Sequence, residues 1–419
     1  MQVKIEKIVY PGKSLTKAFN KIVFTDEGLP EELIEIEILK EKKNYFLAKT
    51  KKVLKASNQR TSPLCSHYKI CSPYQYIKYP YQVEIKINQL KEMLKHNLKL
   101  EIPNLRTKTP NKIWGYRNKV KLKINWLRSP SLFYHLLNSQ DKFIKIKECF
   151  LLPTFINDFL KNFLQIVKNR KIKEIEEIEI KYSESRDQIL LVIYTNSLNK
   201  IKNEIENFKG ISERLSGIVL IPKNSSKKIV SNKEYLEEKI ENIILRWGAN
   251  SFFQINLEML KELLKDLNIF LNLKGKEKIA DLYCGVGTFG IYFAKKTKQV
   301  IGIEQSKENI YFLKENLKIN NLDNFIALQG KSEVLIDYIL KEKIDILIMD
   351  PPRRGLEYSL CEKILKKSPP LLCYISCNPS TLIRDLKILL YCYKIKNISF
   401  YDFFPHTPHM ELCTILEIK

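Results

Sequence analysis

Apolar and polar side chains alternate with a period of two in four short runs near the start of the chain: Val3-Lys-Ile-Glu-Lys-Ile-Val, Lys21-Ile-Val-Phe, Leu33-Ile-Glu-Ile-Glu-Ile-Leu and Asn44-Tyr-Phe-Leu-Ala. Successive side chains of a strand point to opposite faces, so this period predicts half-buried strands. Pro11-Gly12, Asp26-Glu-Gly28 and Leu29-Pro30 interrupt the runs and predict the turns between them. Short strands in this arrangement suit a small OB-like β-barrel over residues 1–57. Residues 58–245 carry strand-like runs at Ile189-Leu-Leu-Val-Ile-Tyr and Gly217-Ile-Val-Leu-Ile-Pro and a helical stretch near 155–168, a mixed α+β pattern. From residue 246 the rhythm changes. Apolar runs at Lys278-Ile-Ala-Asp-Leu-Tyr, Gln299-Val-Ile-Gly-Ile-Glu, Ile344-Asp-Ile-Leu-Ile-Met-Asp and Leu371-Leu-Cys-Tyr-Ile-Ser-Cys alternate with helical stretches near 288–296, 306–319 and 357–367. Strands alternating with helices of that length predict a doubly wound α/β sheet over residues 246–419, with its ligand beyond the carboxyl ends of the strands.

Charge adds a partner to this picture. Of the 419 residues, 71 are Lys or Arg and 47 are Asp or Glu, a net charge of +24, and residues 51–150 alone carry +16 of it. The same stretch holds Tyr68, Tyr74, Tyr76, Tyr79, Tyr81, Trp114, Tyr116 and Trp126. Cations meet phosphates and aromatic rings stack bases, so a nucleic acid is the expected partner. Any single ring here also suits a buried core position. No apolar run approaches the roughly 20 residues that span a bilayer, and the first residues lack the apolar stretch of a secretion signal. A cytoplasmic protein away from the membrane is expected. Its nine cysteines are then reduced thiols, metal ligands or a nucleophile rather than disulfides.

Candidate chemistry sits at the predicted strand ends. Asp281-Leu-Tyr-Cys-Gly285-Val-Gly287 closes one strand, and Glu304 ends the next, 19 residues after Gly285. Two glycines permit a sharp turn close to a ligand, and an acid at the second strand end suits ribose hydroxyls. Dinucleotide dehydrogenases share that spacing, but here the loop begins with Asp281 at the strand end. An acid placed four residues before a Gly-x-Gly pair is the form S-adenosylmethionine enzymes use. Asp350-Pro-Pro-Arg353 fixes an acid at the exit of a third strand, and Ser376-Cys377-Asn378-Pro379 leaves a thiol at the exit of a fourth. Asp402-Phe-Phe-Pro405-His406-Thr-Pro-His409-Met-Glu411 brings histidines and acids before the last strand. Carbon 5 of a pyrimidine attacks a methyl sulfonium only after a thiolate has added at carbon 6. A base must then remove the carbon-5 proton. A cofactor half-site, a cleft thiol and a carboxylate are the parts that route needs.

Together with Ser251-Phe-Phe-Gln-Ile-Asn256, these motifs occur in the order and spacing of the RNA 5-methyluridine methyltransferases, and the chain resembles that family over nearly its whole length. The resemblance implies a class I S-adenosylmethionine-dependent methyltransferase domain, with Cys377 as nucleophile and Glu411 as proton-abstracting base. It implies Gln254, Tyr283, Glu304 and Asp350 as contacts to S-adenosylmethionine. Residues 1–57 look like the TRAM domain of family members, which leans toward ribosomal over transfer RNA. Such members usually hold a [4Fe–4S] cluster on four cysteines. Cys65, Cys71 and Cys149 match three of those positions, but Tyr74 stands at the fourth. A cluster with a non-cysteine ligand such as His67, or its loss, both stay open, and a phenolate is a poor substitute for thiolate. Cytosine-C5 methylation, a transfer-RNA substrate and non-catalytic RNA binding are the competing readings. A monomer is the default expectation.

Overall fold

The computed structural model describes residues 1–126, 129–135, 143–223 and 228–419. The strands Gln2–Lys4, Lys7–Val9, Lys13–Ala18, Lys21–Thr25, Leu33–Glu41 and Tyr45–Lys55 form one six-stranded sheet. It closes around Val3, Ile5, Val23, Ile34, Ile36 and Phe46, the inward side of the period-two pattern. The run predicted over residues 3–9 is split in two. Ile5 leaves the ladder to pair its backbone with Glu31 and Glu32.

A seven-stranded sheet follows, with Ile175–Ser183, Gln188–Thr195 and Leu215–Pro222 among its strands. Helix Thr154–Asn169 covers it with Ile156, Phe159, Leu160, Phe163 and Val167. These elements match the predicted helix near 155–168 and both predicted runs.

The largest sheet has eight strands in the order Phe325–Gln329, Gln299–Glu304, Lys278–Leu282, Ile346–Met349, Leu371–Ser376, Glu411–Ile418, Tyr393–Tyr401, Arg106–Lys108. The first five run parallel. From its central strand the chain winds outward through Gln299–Glu304 and Phe325–Gln329, then returns to the other side at Ile346–Met349. The crevice at that switch point is where such sheets bind ligands. Glu411–Ile418 runs antiparallel to Leu371–Ser376, so its beginning lies at the carboxyl edge of the parallel strands. Helices Leu257–Leu271, Thr288–Ala294 and Lys307–Ile319 pack on one face, and Tyr79–Leu98, Ser332–Ile339, Tyr358–Lys367 and Pro379–Leu389 on the other.

Helix Tyr79–Leu98 and strand Arg106–Lys108 come early in the chain yet belong to this last sheet. The helix escapes the periodicity argument because its buried face mixes Gln82, Lys86 and Gln89 with Ile85, Leu90 and Leu94. Buried polar residues blur an amphipathic stripe. Among the described residues, no helix is long and apolar enough to cross a membrane.

Candidate active site

The cleft begins where Lys278–Leu282 ends. Asp281 is fully buried, and its Oδ2 accepts a hydrogen bond from the Gly290 N–H (2.8 Å), which fixes the turn against the start of the next helix. Its Oδ1 has no partner among the described residues. Burial pushes the carboxyl up to about 8, and the nearby Asp350 and Glu304 reinforce that rise. Gly285 and Gly287 take φ values of 57° and 96°, in the left-handed region. A Cβ on Gly287 would stand 2.5 Å from Leu313 Cδ1, whereas one on Gly285 would meet nothing within 4 Å. Gly287 is required by packing, and Gly285 faces an open cradle.

Glu304 closes that cradle: its Oε2 accepts from the Gly285 N–H (3.0 Å) and its Oε1 from the Ser306 N–H (2.6 Å). The Tyr283 hydroxyl donates to Glu333 (2.6 Å), which holds the ring at the rim. Gln254 reaches in from a separate loop and donates to Asp350 Oδ2 (3.3 Å). That loop is clamped from below. The buried Lys181 ammonium donates to the carbonyls of Gly248 and Ser251, and Asn118 donates to that of Gln254. Gln254, Tyr283 and Asp350, from three separate segments, thus line one crevice with Phe252, Gly285 and Phe289, and Glu304 adjoins it through the Gly285 N–H. An open glycine cradle with an acid at the second strand end fits an adenosine-bearing methyl donor.

Beside it lies the thiol. Strand Leu371–Ser376 stops, and Asn378 caps helix Pro379–Leu389 by accepting from the Ser380 N–H (3.1 Å). Cys377 occupies the two-residue exit between them and is half-buried. Ser376 pairs with Leu412 across the antiparallel ladder, so one step further the register brings Cys377 alongside Glu411. Glu411 is buried, and burial, then Asp350 and Cys413, drive its carboxyl well above the ordinary range, against the pull of Arg353. Burial raises Asp350 to about 7, opposed by the Gln254 hydrogen bond. Cys377 is pushed up to about 12 by burial and by Glu411 and Asp350, while the nearby Arg353 guanidinium pulls the other way. Three acidic groups and one cation therefore crowd a single spot. Arg353 is a site residue that its sequence position alone did not announce. The signal was an arginine directly after the Pro-Pro pair that aims Asp350.

Residues 402–410, which lead into Glu411, are braced from elsewhere in the chain. The buried Lys86 ammonium donates to Asp402 (2.7 Å) and to the Phe404 carbonyl (3.1 Å), and the Tyr79 hydroxyl donates to the other Asp402 oxygen (2.9 Å). Gln82 bonds both the backbone and the ring of His406, Trp114 stacks on that ring at 3.6 Å, and the Tyr116 hydroxyl donates to the Pro405 carbonyl. Burial lowers His406 to about 3 and His409 to about 4, so both imidazoles are neutral near pH 7. Several rings that could have stacked bases serve this packing: Tyr74, Tyr76 and Tyr116 are core residues. A cavity of about 690 Å³ next to the braced loop is lined by Trp114, Tyr116, Arg117, Phe155, Tyr182 and Lys261.

The cysteines matching an iron–sulfur motif do not assemble a matching donor set. Cys71 acts electrostatically on both Cys65 and Cys149, so the three lie near one another, all as free thiols. Burial raises Cys65, and Cys149 to about 11, which favours thiol over thiolate. Cys65 Sγ instead accepts a hydrogen bond from Gln75 (3.2 Å), which also donates to Ser72. Tyr74 turns into the core, and its hydroxyl accepts from Gln89 (3.3 Å). Among the described residues no group of three or more His, Cys, Asp or Glu side chains is set to hold a metal ion. Cys65, Cys71 and Cys149 thus do not fit a four-iron cluster as they stand.

The switch-point crevice, the Gly-x-Gly turn and the acid beyond it define the class I methyltransferase fold. The chain matches the model of the tRNA (uracil-5-)-methyltransferase family over residues 78–419, and it belongs to that family of RNA-modifying enzymes. An RNA methyltransferase of Aquifex aeolicus is 31% identical across all of this chain and 99% of its own length. One from Clostridium acetobutylicum is 30% identical across all of this chain and 96% of its own. The crystal structure of Pyrococcus abyssi tRNA (uracil-54, C5)-methyltransferase in complex with S-adenosyl-L-homocysteine superposes with a TM-score of 0.79 at 24% identity, covering 99% of this chain and all of that one.

Proposed function

We propose that this protein transfers a methyl group from S-adenosylmethionine to carbon 5 of a uridine in RNA through a covalent adduct on Cys377. The observation that carries the reading is the antiparallel last strand, which sets Glu411 at the same sheet edge as Cys377 and Asp350. The donor, held by Gln254, Tyr283, Glu304 and Asp350, supplies an electrophilic methyl group when bound. Arg353 stabilises the thiolate of Cys377, whose sulfur bonds to carbon 6 and sends the ring electron pair to carbon 5 and the adjoining carbonyl oxygen. Carbon 5 takes the methyl group as the methyl–sulfur bond breaks, its electron pair staying on the sulfur of the departing S-adenosylhomocysteine. Glu411, as the carboxylate that the Arg353 charge favours, then removes the carbon-5 proton, the ring double bond re-forms, and the carbon–sulfur bond breaks to release Cys377.

Residues 1–57 we read as a TRAM-type barrel, 58–245 as the central RNA-binding region and 246–419 as the methyltransferase domain, with residues 79–108 docked onto the last. The barrel leads us to propose ribosomal RNA as substrate. Transfer RNA is the second reading, favoured because the Pyrococcus abyssi transfer-RNA enzyme covers 99% of this chain, barrel included. Mass-spectrometric mapping of 5-methyluridine in both RNA classes, from cells with and without the gene, separates the two. Replacing Cys377 by Ala is expected to abolish methyl transfer from labelled donor to RNA; undiminished turnover would remove the nucleophile.

A further inference from the structure

The turn between strands Lys7–Val9 and Lys13–Ala18 of the N-terminal sheet reaches the catalytic edge of the large sheet. Gly12, at φ 92°, sits so close to the braced loop that a Cβ there would stand 3.1 Å from Pro408 Cβ and 3.2 Å from Tyr74 Cε1. Gln89 ties down the strand leading into this turn by donating to the Ile8 carbonyl (2.9 Å). Tyr10, half-buried, packs against the hydrophobic cluster that contains Leu356 and Met410, each close in sequence to a site residue. Burial raises its phenol; the Arg353 guanidinium works against that rise and the Cys377 thiol adds to it, so both lie within electrostatic reach of the Tyr10 hydroxyl. The neutral O–H donor of Tyr10 has no role in the mechanism above.

We propose that Tyr10 is a substrate-contacting residue, donating a hydrogen bond from its hydroxyl to a carbonyl oxygen of the uracil ring seated over Cys377. The proposal rests on Cys377 being the nucleophile. When the sulfur adds at carbon 6, negative charge moves onto a ring carbonyl oxygen, and a preset O–H donor at that oxygen stabilises the adduct more than the free base. Phenol is suited to this because burial keeps it protonated. The N-terminal sheet would then complete the pyrimidine pocket as well as bind RNA.

The test uses the full-length protein with an RNA transcript carrying 5-fluorouridine, whose carbon-5 fluorine cannot leave as a proton and so traps the methylated adduct on the sulfur. Tyr10→Phe is expected to slow adduct formation about tenfold or more, within the range seen when one oxyanion donor is removed. Donor affinity by calorimetry and the KM for RNA should stay within about threefold, the signature of an interaction made mainly in the transition state. Tyr391→Phe, at an exposed tyrosine, serves as the control. An adduct rate for Tyr10→Phe within twofold of the parent overturns the proposal. So does a rate lost only in Tyr10→Ala, which would make the ring a packing element. A parent protein that forms no adduct overturns the reading of Cys377, and this proposal with it.

Discussion

Cys377, Asp350 and Glu411 illustrate what a cleft does to ionisable side chains. Each is driven toward its neutral form by burial, Glu411 also by Asp350 and Cys377 also by Glu411 and Asp350, and Arg353 is the cation that opposes the shift at Cys377 and Glu411. A methyl sulfonium brings a second positive charge to this spot, whereas its demethylated product does not. With Asp350 near 7 and Asp281 near 8, the crevice gains negative charge as pH rises through that range. The affinity of S-adenosylmethionine relative to S-adenosylhomocysteine should therefore rise by about threefold or more between pH 6 and pH 8, as measured by calorimetry. A ratio flat with pH would separate these carboxyls from the donor site. At this scale much was legible from the chain. Gly-x-Gly, Asp-Pro-Pro and a cysteine at a strand end each name a backbone geometry as well as a residue. Arg353 was not legible as a site residue, because its place against the sulfur depends on how the loop after Asp350 folds.

Elements carry the second part of the account. The period-two and strand–helix rhythms led directly to the N-terminal sheet and to the parallel strands of the large one, since those elements bury apolar side chains on regular faces. Helix Tyr79–Leu98 and strand Arg106–Lys108 did not show. The helix buries amides and an ammonium, and the strand is three residues at a sheet edge. Yet this helix holds the segment leading to Glu411. Lys86 and Asp402 are both fully buried, and removal of either leaves the other charge uncompensated, which typically costs about 3–5 kcal/mol. Lys86→Met is accordingly expected to lower the melting temperature by several degrees and to reduce turnover, while Lys86→Met combined with Asp402→Leu should recover much of the stability. A single variant as stable and as active as the parent would mean that the pair does not brace the loop.

For the molecule as a whole, net charge pointed to a polyanionic partner, and that inference needed no fold. The excess in residues 51–150 lies in the stretch that supplies the helix and strand docked on the large sheet as well as the first strands of the seven-stranded sheet. The iron–sulfur question could not be closed from spacing alone, because three matched cysteines say nothing of what their sulfurs bond. Gln75 on Cys65 and Tyr74 in the core argue against a cluster on these residues. Anaerobic reconstitution with iron and sulfide is expected to leave the protein without the broad absorbance of a four-iron cluster and to leave its methyl transfer unchanged. About four irons bound per chain would reverse this.

The central claim is that Cys377 bonds to the base and Glu411 ends that bond. Glu411→Gln should still add its thiol and accept the methyl group but fail to lose the carbon-5 proton. Incubated with substrate RNA and S-adenosylmethionine, this variant is predicted to accumulate a denaturation-resistant protein–RNA adduct, and nuclease digestion followed by peptide mass spectrometry should find a methylated uridine on Cys377. Adduct on another residue, or turnover at the parent's rate with none trapped, would contradict the account.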